Sequence, residues 1–178
     1  MIFFRHTTGI HYTDELVEWV LLRLSSKGIE KVREGSVPVP KGFFDQENAP
    51  MFPSEVLTGI RKYFRGIVTV SLPSKYLLMR ILELPSTNPQ ELKSMVELQM
   101  DQLSPYPIDQ LTMSYEVVHS TENHSRVLAV AASRKVVDSL GDLFKAKHIY
   151  VRSVDAEVLT WWSLLARGDL QFTDRGRF

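Results

Sequence analysis

Five histidines, His6, His11, His119, His124 and His148, are the residues best suited to metal ligation or proton transfer in this chain. Only His119 and His124 lie close together, in a polar stretch that reads as a hairpin loop. A metal there would need carboxylates delivered by folding, because the chain has no cysteine. A solvated loop is the better account of the pair. Asp14 and Glu15 are adjacent carboxylates, but they sit beside a turn, where solvation is the simpler reading. No serine stands in a GxSxG elbow. The GxxxxGK(S/T) and GxGxxG phosphate loops and the HExxH zinc helix are also absent. Trp162 falls on an apolar helical stripe and reads as core. Trp161 lies off that stripe, which leaves an interface role open. Met95, Met100 and Leu103 form a second stripe that reads first as core. Its methionines also suit an adaptable groove for a partner segment.

The chemistry is sparse, so the elements that position these residues carry more information. The chain has 178 residues, 44% of them hydrophobic, enough for one larger domain or two small ones. Its 21 basic and 21 acidic side chains balance, which argues against broad binding to nucleic acid. The missing cysteines exclude disulfides and fit a reducing compartment. No apolar run approaches the ~20 residues of a membrane span, and Met1–His6 lacks the core of a signal peptide. A soluble intracellular protein with no direct membrane insertion is expected.

Thr8–Tyr12, Glu18–Leu24 and Ile29–Val37 read as a β-meander, with a turn at Ser25-Ser26-Lys27-Gly28 and an end at Pro38 and Pro40. Val56, Leu57, Ile60 and Phe64 share a helical face, and Gly66 is placed as its C-cap. Ile67–Leu72 and Tyr76–Leu84 read as strands. Asn88, Pro89 and Glu91 start the clearest helix, with a capping box, and Ser104-Pro105-Tyr106-Pro107 stops it. Strands follow at Thr112–Val118 and Arg126–Ala132, then a helix capped by Ser133, a strand at Ile149–Val154 and a last helix capped by Asp155. The β-α-β-β-α-β order from Tyr76 to Val154 predicts a separate small sheet with two helices on one face.

One ordered set of segments is more specific. Thr8-Gly9-Ile10-His11 opens it and Ser36-Val37-Pro38-Val39-Pro40 closes the meander. Val68-Thr69-Val70-Ser71-Leu72-Pro73, Met79–Pro85, Glu91–Gln99, Leu103–Pro107, Val127–Ser133 and Val154-Asp155-Ala156-Glu157 follow in turn. Together they resemble the PilM family of type IV pilus assembly proteins, relatives of FtsA and of the cytoplasmic part of GspL. The likeness runs from about Thr8 to Leu165. It implies an α/β fold: a partial actin-like (ribonuclease-H-like) subdomain at 1–74 plus 155–167, a small inserted α+β subdomain at 75–154, and a polar tail at 168–178. It also implies that the chain is the first half of a longer actin-like protein.

Nucleotide-binding members of such families carry an Asp-x-Gly turn followed by Lys. By the match, His11 stands for the Asp, Thr13 for the Gly and Glu18 for the Lys. Losing the glycine removes the close backbone approach to phosphate, and a glutamate repels it. The resemblance therefore implies no cofactor, and a scaffold in place of an enzyme. It would act at the cytoplasmic face of the inner membrane, binding the cytoplasmic tail of a PilN-like membrane-anchored protein, with self-association possible. The resemblance implies that this tail docks between the first subdomain and the inserted one, which would place the groove near Arg80, Met95, Gln99, Leu103 and Tyr106. Two alternatives remain: half of an actin-like ATPase completed by a missing C-terminal half, and a free-standing α/β binding domain.

Overall fold

Alternating burial along the first strands decides which face of the sheet is covered. In a computed structural model describing residues 5–44 and 51–159, β1 (Arg5–Tyr12), β2 (Leu16–Ser25) and β3 (Gly28–Pro38) form an antiparallel meander. Ile10, Tyr12, Val17, Trp19 and Leu21 point to the buried side. Residues between them, such as His11, Glu18 and Val20, point to the other, as period-two geometry requires. The chain then crosses over through α1 (Ser54–Ile60) to β4 (Ile67–Leu72), which pairs parallel to β1.

The buried side of this sheet is closed by α1 and by α3 (Arg134–Ala146). Val56, Leu57 and Ile60 of α1 and Leu140 and Phe144 of α3 join Phe52 in one apolar cluster with the strand residues. Tyr63 stacks on Trp19 at 4.8 Å, and Gly35 is needed beneath that indole: a Cβ there would sit 2.7 Å from the ring.

Between β4 and the last strand the chain builds a second sheet. β5 (Leu77–Leu84), β6 (Leu111–Ser120) and β7 (Ser125–Ser133) pair antiparallel in the order β5-β7-β6. α2 (Pro89–Leu103) lies on one face, burying Leu92, Val96 and Met100 against Leu82, Leu84, Val127, Ala129 and Ala131. Its start is well determined. The Asn88 side chain accepts from the N–H groups of Gln90 and Glu91, Pro89 takes the first position, and Glu91 accepts from Ser86 Oγ. Ser86 Oγ in turn accepts the Asn88 N–H, so the expected capping box closes through a serine.

Three expectations are corrected. The strand expected at Ile149–Val154 is β8 (Val151–Ala156), and it joins the first sheet beside β4, giving the order β3-β2-β1-β4-β8. α3 likewise gives its buried residues to the first sheet, so the small sheet has three strands and one covering helix. The β-α-β-β-α-β order is the same whether the final pair returns to the small sheet or crosses back, and local periodicity does not record the partner. Asp155 lies within β8 and does not cap a helix; helical residues begin at Glu157. Gly66 does not cap α1, which tightens into a 3₁₀ turn at Arg61–Tyr63 and ends with Phe64 extended.

The expected last helix reaches beyond Leu159. Trp161, Trp162, Leu165 and the tail 168–178 lie outside the described residues, as do residues 1–4 and 45–50.

Gly66 instead aims the chain into β4. Its φ is +68°, and a Cβ would stand 1.9 Å from the carbonyl oxygen of His6. Beside it the buried Thr8 Oγ1 bridges the N–H and C=O of Arg65. Gly66→Ala should therefore lower unfolding free energy by roughly 2–4 kcal/mol. Gly59→Ala, in α1 with open space around it, should raise it by about 0.5–1 kcal/mol. Urea unfolding of both variants checks the contrast.

Candidate functional site

The turn between β1 and β2 is where an actin-like site would hold phosphate, and its donors are already engaged. Thr13 Oγ1 accepts from the N–H groups of Glu15 and Leu16, at 3.2 and 3.1 Å, and Thr13 N–H donates to Leu16 O at 2.8 Å. The hydroxyl thus consumes amides that a glycine at this position would leave open. Asp14 is ion-paired with Lys75 across the turn. Burial works to lower the Lys75 ammonium pKa, but the Asp14 carboxylate and neighbouring Tyr76 hold it above its ordinary value.

His11 and Glu18 face each other in register on the side of the sheet away from α1 and α3. With Glu34, Asp155 and Glu157 they line a recess of about 660 Å³. His11 Nε2 lies 3.8 Å from Glu157, whose other oxygen accepts from Ser74 N–H and Oγ. Four carboxylates and one imidazole, with no lysine or arginine lining the recess, do not fit a polyphosphate. Like charge at this separation opposes binding. Among the described residues no group of three or more histidines and acids is arranged to hold a metal ion.

His119 ends β6 and His124 lies in the following turn, both exposed. His148 lies in the turn that follows α3, in a left-handed conformation, φ +58°.

A second recess, about 250 Å³, separates the two sheets. Leu72 of β4 and Val154 of β8 form one wall, Val137 of α3 another, and Leu77, Val130 and Thr112 of the small sheet the third. Asp155 is its one charged residue, and burial raises that carboxyl above the usual range against a hydrogen bond from Ser153. A third recess, about 220 Å³, lies on the other side of the small sheet, between β6 and Lys93, Val96 and Glu97 of α2.

The five residues expected to line a partner groove line none of these three recesses. Arg80 is exposed on β5, with its guanidinium on its neighbour's carbonyl. Met95 and Gln99 are half-buried on α2, Met95 against the small-sheet core. Leu103 and Tyr106 are exposed at and beyond the end of α2. The walls of the inter-sheet recess come from segments scattered from Leu72 to Leu159, and no local pattern announces them. The exposed small residues Thr112 and Ser114 between half-buried Met113 and Tyr115 were the available signal.

A five-stranded sheet with a meander, parallel crossovers and a small sheet inserted before its last strand defines this chain as an α/β protein of actin-like architecture. The family model for the type IV pilus assembly protein PilM matches residues 9–177, and the chain belongs to that family. It is similar to a chain of the solved PilM–PilN type IV pilus biogenesis complex, with TM-score 0.75 and 16% identity over 90% of this chain and 50% of that one. It is also similar to the cytoplasmic domain of EpsL, an inner-membrane component of the Vibrio cholerae type II secretion system. There the TM-score is 0.60, with 17% identity over 86% of this chain and 58% of that one. A Bacteroides thetaiotaomicron protein of unknown function, described as having an actin-like ATPase fold, aligns with TM-score 0.43, 12% identity and coverage of 92% and 57%. The chain thus spans about half the length of these proteins. No curated protein sequence matches it.

Tyr12, at the base of the phosphate-like turn, is buried, and its hydroxyl has no hydrogen-bond partner among the described residues. Burial pushes the phenol well above its ordinary range, helped by Tyr76 and Asp14. A raised acid keeps its proton in the folded state after the unfolded chain has lost it. Its contribution to stability is therefore full below about pH 10 and falls as pH rises beyond that. Tyr12→Phe should raise stability at pH 7 by about 1 kcal/mol and flatten the alkaline loss. Thermal unfolding between neutral and strongly alkaline pH checks both.

Proposed function

We propose that this chain is a scaffold of a type IV pilus or type II secretion assembly platform that binds the cytoplasmic tail of a membrane-anchored, PilN-like protein without hydrolysing nucleotide. The observation that carries the reading is the likeness, over nearly the whole chain, to a protein solved in complex with PilN. The second solved relative is an inner-membrane component of a secretion system, which supports the same class of role. No helix among the described residues is long and apolar enough to cross a membrane. The proposed place of work is the cytoplasmic face of the inner membrane, reached through the partner.

The recess between the two sheets is the groove we assign to the tail. It is concave and apolar with a single charged residue, the combination that lets a few anchors supply most of the affinity. A competing surface is the end of α2, where Leu98, Leu103 and Tyr106 are exposed together with Gln99 and Met95 at its edge. The occupied turn amides and the carboxylate-lined face support a reading without hydrolysis. Nucleotide binding completed by a second half of the protein is the alternative.

Calorimetric titration with the cytoplasmic segment of the PilN-like partner tests the reading. Saturable binding is expected, with Thr112→Trp, an exposed residue at the groove wall, weakening it at least 30-fold, or about 2 kcal/mol. Leu103→Glu should leave affinity unchanged. The reverse pattern would move the tail to α2 and refute the groove. ATP with magnesium should give no saturable heat.

A further inference from the structure

We propose that β6 takes the partner's segment as an added strand of the small sheet, with aliphatic side chains entering the inter-sheet recess. This rests on the reading that the chain docks such a segment, and it specifies how. β6 pairs with β7 on one side only; among the described residues no strand pairs with its other side, and of its carbonyls Leu111's accepts from the Arg134 guanidinium. From Leu111 to Val117 the pairing is regular, and the register shifts only beyond Val117. That stretch offers roughly 20 Å of edge at about 3.3 Å per residue.

The other edges are guarded and this one is not. β3 carries a register shift opposite Leu21 and Leu22, alternating charge at Glu30, Lys31, Arg33 and Glu34, and Pro38 at its end. These are the devices that keep sheet edges from pairing with other chains. β8 is short and charged at Arg152 and Asp155, and β5 is bounded by Pro73 and Pro85 and carries Arg80 and Glu83. Between Leu111 and Val117, β6 has no lysine, proline or glycine, and Glu116 is its single charge.

The recesses lie where an added strand would need them. Successive side chains of a strand alternate between faces, and Met113 and Ser114 border a recess on each face. One is the apolar space against Leu77, Val130 and Val137; the other lies against Val96, between Lys93 and Glu97. Such an arrangement draws affinity from main-chain hydrogen bonds and specificity from alternate pockets.

The test uses synthetic peptides of the PilN-like partner's cytoplasmic segment, titrated into the full chain. Two versions carry backbone N-methyl groups at alternate residues, one set at odd and one at even positions, which removes donors while keeping every side chain. Strand addition predicts that one version loses affinity at least 30-fold and the other stays within about threefold. Equal behaviour of the two versions overturns strand addition and leaves docking intact. Failure of the unmodified peptide to bind overturns docking itself.

Discussion

The parallel pairing of β4 with β8 is the constraint on which the rest of this structure depends. The two strands are neighbours in the large sheet, held in register from Thr69–Ser153 to Leu72–Ala156, with the paired hydroxyls of Thr69 and Ser153 3.0 Å apart. Everything between them in sequence must leave the end of β4 and return to the start of β8. A right-handed crossover normally needs only a helix, and α3 supplies it. The small sheet is added to that crossover, so both its entry at Leu77 and its exit at Ser133 lie against the large sheet. The recess between the sheets is therefore walled by β4 and β8, by the crossover helix and by the insertion. Its shape is set by the large sheet's topology and its lining by the insertion.

The two faces of the large sheet carry different chemistry. One is apolar and closed by α1 and α3. The other bears His11, Glu18, Glu34 and Asp155 around a wide recess. In an actin-like architecture the β1–β2 turn borders a nucleotide cleft. Here a threonine hydroxyl occupies turn amides, and four carboxylates line the recess on that face of the sheet. The fold is retained because it rests on the buried face and on Gly66, Thr8 and the Trp19–Gly35 contact, none of which involves the turn. The residues at the turn can therefore vary without disturbing the contacts that hold the sheet.

Legibility of the sequence followed the locality of each signal. α2 is readable because Asn88, Pro89 and Glu91 at its start, and Ser104-Pro105 at its end, act within one turn of backbone. The meander is readable because the turn signal Ser25-Ser26-Lys27-Gly28 separates two runs and Pro38 and Pro40 end the second. The family resemblance was legible as an ordered series of such segments. At the β1–β2 turn the sequence showed Thr13 where a glycine was expected; that its hydroxyl takes the amides of Glu15 and Leu16 is visible only in the structure. The partner of β8, the role of Gly66 and the walls of the inter-sheet recess were not legible. Each depends on residues far apart in sequence meeting in space: Gly66 with His6, β8 with β4, and Thr112 with Val137 and Val154. The helix stripe of Met95 and Gln99 was conspicuous, but conspicuous helix stripes report burial first, and Met95 is largely spent on the small sheet's core.

The central claim is that the space between the two sheets, and not the end of α2 or the carboxylate-lined face, receives the partner. Amide chemical-shift mapping with the partner's cytoplasmic segment tests it most directly. The account predicts that the largest perturbations fall on Leu77, Thr112 to Tyr115, Val130 to Ala132 and Val137. Perturbations confined to Leu98 to Tyr106, or to His11, Glu18 and Glu34, would contradict it.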